Sequence, residues 1–381
     1  MNWNPLLSLV LLSSTLLAPL TAPALASDGL YYLSMASGDV RVKTRWFKQY
    51  QAASPGQPLK RSDRIWVKNS RSAAVVMCNN LTLWPVPIGK PAPVSSGCPA
   101  TASSLRRRRN DLGPPRGNDS ETSPVLLSPR NTAILPDEPI IFRWQPVAGA
   151  TGYTLTVQDL ARPVWTSQTI QSQARYTSQP SLKRDWVYSI AITTSNGASS
   201  SADTLPAFVI FSDAKAAAAK QAQQQVEALN LEPDARALAL AHLYRSTCLD
   251  EMTGSTCLNQ AAIEVLAARI ETGTEETAIY QLQANNYQQI GLLQQAQELY
   301  RQALTQTHAH DVLLQQTEIQ VQLGQIARYL GNHSEAVKWL QAAKAAYRQL
   351  SNPNEPEPHA ILKQLQDWLE DSQSQSSAKP E

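Results

Sequence analysis

Two stretches forty residues apart carry small and bulky side chains in the same order. In TAIYQLQANNYQQIGLLQQAQELYRQAL these are Ala284, Tyr287, Gly291, Ala296, Tyr300 and Ala303. In EIQVQLGQIARYLGNHSEAVKWLQAAKAAY they are Gly324 (after Leu323), Ala327, Gly331, Ala336, Leu340 and Ala343. Ala or Gly lets two helices approach closely, and Tyr or Leu one turn away fills the seam. Gly291 and Gly331 would end the first helix of each pair. A chain with this pattern is expected to stack helical hairpins, each burying its apolar face against the next. A weaker copy precedes them, with Leu240, Ala241 and Tyr244 on its first helix and Ala261, Ala262, Ile263 and Leu266 on its second. The Ala-, Gln- and Lys-rich run from Asp213 to Leu229 is expected to be helical, with Asp213 as its cap. Ile361, Leu362, Leu365 and Trp368 recur at helical spacing within 358–369, as a closing helix would require. The Ser- and Gln-rich end, 372–381, is expected to be disordered.

These positions resemble the tetratricopeptide (TPR) repeat, its 34-residue unit lengthened by about six. The resemblance implies an all-α solenoid over 213–371 and a concave surface lined by the first helix of each pair. Projected onto this chain, that surface includes His242, Arg245, Gln281, Asn285, Gln288, Gln289, Gln325 and Arg328. Amides offer both donors and acceptors, which suits an extended peptide, and arginines take a carboxylate bidentately.

The weak copy is interrupted by CLDEMTGSTC, residues 248–257, which adds about nine residues to a helix–helix turn. A disulfide there would close a ten-residue ring and stabilise by about 2.7 kcal/mol in the chain-entropy model. The alternative is a metal loop using Cys248, Cys257, Asp250, Glu251 and His242, although the paired Cys-x-x-Cys spacing of a zinc site is absent. His308-Ala309-His310-Asp311 has metal-binding residue types but not the H-x-H-x-D-H order, and no metal or other cofactor is expected. No G-x-S-x-G, P-loop or H-E-x-x-H occurs, so nothing points to catalysis.

The front half alternates polar and apolar residues with a period of two, as in GDVRVKTRWF and RIWVKNSRSAAVVMC, and Gly/Pro/Asn turns punctuate it. Gly38, Leu59-Lys60-Arg61-Ser62-Asp63 and Ala73-Ala74-Val75-Val76 resemble a FecR-type domain, which implies a small all-β module over 27–99. Ser62-Asp63 stands where that family has Gly-Asp. Residues 100–128, with RRRRND and GPPRGND, are poor in aromatic and β-branched residues and are expected to be a disordered linker. Over 129–212, FRWQPVAGATGYTLTV, with Trp144 and Tyr153, and the Leu182–Tyr188 spacing resemble a fibronectin type III domain, which implies a β-sandwich. Trp144 and Tyr153 belong in its core, the alternative being a glycan platform.

Residues 1–26, with the apolar run Leu6–Leu17 and Ala24-Leu25-Ala26, read as a signal peptide cleaved after Ala26. The run is shorter than the ~20 residues that span a bilayer, and no transmembrane segment is expected in the mature chain. Export makes disulfides accessible to the four cysteines, Cys78, Cys98, Cys248 and Cys257. Spacing favours Cys78–Cys98 and Cys248–Cys257 among the three possible connectivities. A net charge of +2 hides a gradient: residues 27–99 carry ten Lys and Arg against three Asp and Glu, whereas 215–381 carry twelve against nineteen. The leading expectation is a non-catalytic adaptor in the periplasm or envelope of a bacterium, binding a protein or peptide through the helical groove. The combination resembles exported TPR proteins of cyanobacteria. The alternative is an envelope glycan or polyanion binder using the basic front and Arg106 to Arg109. Nucleic acid is not expected as a partner.

Overall fold

The computed structural model describes residues 30–100, 105, 123–177, 179, 181–200, 205–250, 255–307 and 313–377. The expected leader, Arg106 to Arg109 and the His308–Asp311 segment lie outside them. Among the described residues, β-sheets fill the N-terminal half and eight helices the C-terminal half.

The front module pairs two four-stranded sheets. One has the order β4 (Pro58–Leu59), β1 (Tyr31–Ser37), β6 (Ala73–Met77), β7 (Leu83–Pro85); the other β3 (Gln51–Ala52), β2 (Val40–Lys43), β5 (Arg64–Val67), β8 (Ala92–Pro93). The period-two pattern turns Leu33, Val40, Val42, Ile65, Val67 and Val76 into a shared core. Cys78 is bonded to Cys98 within it, with their Cα atoms 5.4 Å apart.

The middle module also packs two sheets face to face. Five strands lie in the order β10 (Thr132–Ile134), β16 (Ala207–Ile210), β15 (Val187–Thr194), β12 (Tyr153–Asp159), β13 (Arg162–Thr169). Three lie in the order β14 (Gln173–Arg175), β11 (Ile141–Trp144), β9 (Leu126–Ser128). Trp144 is 2% exposed and meets Tyr153 edge-on at 5.4 Å, so both rings are core and neither offers a glycan platform. Two tyrosine hydroxyls satisfy turn backbone: Tyr153 accepts from the Val147 N–H at 3.0 Å and Tyr188 from the Lys183 N–H at 2.8 Å.

The helices are α1 (Asp213–Glu227), α2 (Pro233–Ser246), α3 (Asn259–Glu271), α4 (Thr277–Ile290), α5 (Leu293–Gln306), α6 (Leu313–Tyr329), α7 (His333–Leu350) and α8 (Pro356–Ser377). Small residues sit at the crossings as the repeat requires: Ala284, Ala296, Ala303, Ala327, Ala336 and Ala343 are fully buried. At Gly324 a Cβ would stand 2.7 Å from the Leu340 side chain, so α6 and α7 touch where only hydrogen fits. Part of the six-residue lengthening is helix rather than loop: forty residues after Thr277 is Thr317, yet α6 begins one turn earlier, at Leu313.

Three expectations are corrected. Ser212, not Asp213, occupies the N-cap of α1, and Asp213 lies in its first turn. The stretch read as linker contributes at both ends: Leu105 is fully buried beside Tyr32 and Met77, and Leu126–Ser128 form β9. A single Leu and a short VLL run suffice where a pocket awaits them, and average composition conceals this. The end expected to be disordered is helical to Ser377. Ser372 is buried there, and Ser372, Ser374 and Ser377 bond back to carbonyls three or four residues earlier. The front module is joined to the helices. Leu30, Tyr32, Met77, Leu81 and Leu105 share one core with Val226, Leu238, Ala241, Leu243 and Leu266.

Within the inserted CLDEMTGSTC, β17 (Cys248–Asp250) pairs with β18 (Ser255–Cys257), and Cys248 is bonded to Cys257. The insertion docks the middle module on the helices. Thr132 Oγ1 donates to the Cys257 carbonyl at 3.2 Å and accepts the Gln260 N–H at 3.0 Å, while Lys215 Nζ donates to the Leu249 carbonyl at 3.1 Å.

Two outcomes follow. Gly324→Val, which overpacks the α6–α7 crossing, should destabilise by about 1–3 kcal/mol in chemical denaturation. Replacing Cys248 and Cys257 together by Ser should cost roughly 3 kcal/mol in the chain-entropy model, read the same way.

Candidate functional site: a chamber under the front module

The projected concave face is not open. The turn Ser54–Gln57 lies across it, pinned to β1 by Gly56 N–H donating to the Leu33 carbonyl at 2.7 Å and Leu33 N–H donating to the Gln57 carbonyl at 3.1 Å. Gly56 has φ +73°, and a Cβ there would be 2.4 Å from that of Ala278 on α4. Only glycine allows both that conformation and that approach. Farther along, Phe47 bridges Ser351, Lys48 N–H donates to the Leu350 carbonyl at 3.1 Å, and Asn352 N–H donates to the Trp46 carbonyl at 2.6 Å. The front module therefore reaches from α2, where Tyr32 meets His242 with ring centroids 4.6 Å apart, to the α7–α8 turn.

Between module and helices remains a cavity of about 320 Å³. Its roof is Leu30, Ala52, Ser54, Gly56, Gln57 and Pro58. Its floor comes from three parallel-running first helices: Leu238, His242 and Arg245 of α2; Ala278, Gln281, Leu282 and Asn285 of α4; Leu314, Gln315, Glu318 and Gln322 of α6. Amides tie the helices together. Gln315 Nε2 donates to Gln281 Oε1 at 3.1 Å, and Gln288 Nε2 to Gln322 Oε1 at 3.0 Å. The buried Tyr300 hydroxyl from α5 lies 2.5 Å from Asn285 Oδ1 and 2.8 Å from Gln288 Oε1.

Of the eight residues projected from the register, the structure brings His242, Arg245, Gln281 and Asn285 to this cavity. Gln288 is buried behind it as a tie between helices, and Gln289 is half-buried outside the lining. Gln325 is buried and directs Nε2 at the Tyr329 hydroxyl, 3.5 Å away. Arg328 is taken by α8: its Nη2 is 2.6 Å from Asp371 Oδ2 and its guanidinium stacks 5.4 Å from the Trp368 ring centroid. Arg328 fails because the closing helix α8 packs where a further repeat would otherwise extend the groove.

Leu314, Gln315, Glu318 and Gln322, and the whole roof, were missed by the projection. A signal existed for the floor. Contacting pairs between successive helices are separated by 34 residues, as in Gln281–Gln315, Gln288–Gln322 and Arg301–Glu335. The forty-residue offset matches equivalent positions in the hairpins, whereas lateral contact follows the shorter step because α6 starts a turn early.

Burial, and then the charge of Arg245, hold the His242 pKa down from 6.5 to about 3, so the ring is neutral at ordinary pH. The titratable side chains lining the cavity are thus a neutral imidazole, a guanidinium that is 8% exposed, and the Glu318 carboxyl. Among the described residues no three His, Cys, Asp or Glu side chains gather as a metal site would need, and His242 faces Tyr32 and the cavity rather than the Cys248–Cys257 hairpin. The basic front is partly neutralised: Arg41 and Lys68 both reach Asp39, at 2.6 and 3.2 Å, and their hydrogen bonds, Arg41's first, hold its carboxyl below the usual range. Arg45 pairs across the seam with Glu355 at 3.4 Å. No helix among the described residues is long and apolar enough to cross a membrane.

No family model and no curated protein matches the chain. Among solved structures, MamA protein overlays 43% of this chain and 84% of its own at 14% identity and a TM-score of 0.27. A β-1,2-glucanase from Parabacteroides distasonis overlays 89% of this chain, which spans about half of that enzyme (48%), at 10% identity and a TM-score of 0.20. Overlays this loose carry no argument about fold or activity.

The neutral His242 makes a prediction about pH. Above 6.5 the ring is unprotonated in both folded and unfolded chains; between 6.5 and about 3 only the unfolded chain takes up the proton. Stability is therefore full above pH 6.5 and falls as pH drops through that window, by up to about 1.4 kcal/mol per unit from this group. Denaturation at stepped pH should show a shallower acid-side loss for His242→Gln than for the unaltered protein.

Proposed function

We propose that this chain is an exported, non-catalytic scaffold of the bacterial cell envelope, whose helical concave face is held closed by its own front module. The parts are read as a FecR-like module, a fibronectin type III-like sandwich and TPR-like hairpins. Support for export comes from the leader-like first 26 residues and from two disulfides in a chain with four cysteines. The observation that carries the reading is the seat of Gly56 on Ala278, with the module's second footing at Phe47–Ser351. A peptide cannot lie along α2, α4 and α6 in the usual extended manner while that turn is in place. What the face can accept is a small group, and larger partners would dock on outer surfaces of the welded body. Non-catalytic action fits a cavity whose imidazole is neutral and packed against Tyr32.

Covalent footprinting with mass spectrometry tests the closure. His242 and Glu318, half-buried beneath the turn, should label more slowly than the exposed His359 and Glu370. Gly56→Arg, which wedges the turn off α4, should remove the difference. Equal labelling of the two pairs in the unaltered protein would refute the closed face.

A further inference from the structure

We infer that the outer face of the sheet β3-β2-β5-β8 binds an anionic polysaccharide, a sugar polymer bearing carboxylate or sulfate groups. This goes beyond the closed concave face and does not rest on it. The front module meets the helices through its other sheet, with Tyr32 of β1 and Met77 of β6. Val40, Val42, Ile65 and Val67 point into the core between the two sheets. By the period of two, Arg41 and Lys43 of β2 and Arg64 and Trp66 of β5 stand on the opposite, outward side.

The register sets Lys43 directly opposite Arg64. Like charges at one cross-strand position repel, so the sheet itself gains nothing from this pair. The neighbouring cations are matched, because Asp39 takes Arg41 at 2.6 Å and Lys68 at 3.2 Å. Neither Lys43 nor Arg64 is ion-paired with any described residue, and Arg64 is exposed. Asp63, the other carboxylate between residues 30 and 100, is 2% exposed and accepts the Lys60 N–H at 2.7 Å. Lys43 Nζ stands 5.8 Å from the centroid of the Tyr50 ring, a contact that holds the ammonium on the face without neutralising it. An anionic group laid across β2 and β5 would relieve the repulsion: Arg64 takes a carboxylate or sulfate bidentately, and Lys43 adds a point charge. Tyr50 and Trp66 pack edge to face at 5.7 Å among these cations, and both are half-buried. The ring surface they leave uncovered is an apolar plate on which the C–H groups of a sugar can rest. A bilayer would call for protruding aliphatic side chains, and the outward positions of β2 and β5 hold none.

The test is binding of the full chain, without its expected leader, to immobilised heparin and to immobilised alginate at stepped NaCl. Heparin carries sulfate and carboxylate groups, and alginate carries carboxylates alone. At least one polymer should retain the protein at about 50 mM NaCl and release it as salt rises. Retention by both assigns the site to carboxylate, and retention by heparin alone assigns it to sulfate. Lys43→Gln combined with Arg64→Gln should weaken binding at least about tenfold and flatten its salt dependence. Lys338→Gln combined with Lys363→Gln makes the same change of charge on exposed positions of α7 and α8 and should leave affinity within about twofold. Unchanged denaturation midpoints would show that both altered proteins fold. Arg106 to Arg109 are intact in both, so retention by that run would appear as binding undiminished by the first pair. Undiminished binding, or equal weakening by the two pairs, would overturn the assignment. So would no retention by either polymer at about 50 mM NaCl, or tighter binding to phosphatidylglycerol vesicles or to duplex DNA.

Discussion

Every part of this molecule depends on one apolar seam, where β1 and β6 of the front module press on α2 and α4. Tyr32 and Met77 from the strands share buried volume with Leu238, Ala241 and Leu243 from the helices, and none of the five is more than 2% exposed. A stack of helical hairpins has two faces that cannot all be covered by neighbouring hairpins. Here the concave one is covered by a β-module and the terminal one by α8, with Leu365 and Leu369 against Leu340. Burial at about 25 cal/mol per Å² favours this wherever apolar side chains line the inner face, and Leu238 and Leu282 do. The seam also explains the composition of the turn that crosses it. Any side chain at position 56 would hold the module off α4.

Charge follows the same seam. A basic front and an acidic back are apparent in the sequence as a charge gradient. Arg45 with Glu355 joins the two inside one chain, and Asp39 absorbs two further cations at the module's own surface. Exposed pairs of this sort add little to stability, typically ~0–1 kcal/mol, so their consequence is orientation rather than strength. The middle module is oriented by hydrogen bonds to helix backbone too. Arg130 Nε and Asn131 Nδ2 donate to the Ile290 carbonyl at 2.8 and 3.1 Å, satisfying an orphan acceptor at the C-terminus of α4.

What could be read from the sequence was what repeats locally. The small residues at 284, 296, 324, 327, 336 and 343 dictate close helix crossings whatever else the chain does, and alternation in GDVRVKTRWF dictates a strand. Contacts between elements distant in the chain leave no such periodic trace. Nothing near Gly56 shows that it will meet Ala278, more than two hundred residues later. Leu105 sits among residues of linker composition, and the serines after Asp371 belong to a residue type that favours caps and turns; both were decided by pockets elsewhere. The projection of the groove failed for a subtler reason. Equivalent positions recur every forty residues, but neighbours on adjacent helices are set by where each helix starts, and the additional first turn of α6 moved Gln315 and Glu318 into the place given to Gln325 and Arg328.

The inserted hairpin shows why the three parts form one body rather than a string. A turn of two residues, like Gly291-Leu292 between α4 and α5, would leave α2 and α3 joined but offer nothing beyond the helical surface. CLDEMTGSTC instead projects a two-stranded ribbon whose Cys257 carbonyl is met by Thr132, the first residue of β10. A ribbon of that length is marginal alone, since an isolated hairpin buries too little to order itself. The Cys248–Cys257 bond removes the cost of closing it, and docking then needs only the few polar contacts observed. The disulfide thus acts at one remove from the cavity: it fixes the middle module on α2 and α3, and α2 carries His242 and Arg245 into the chamber.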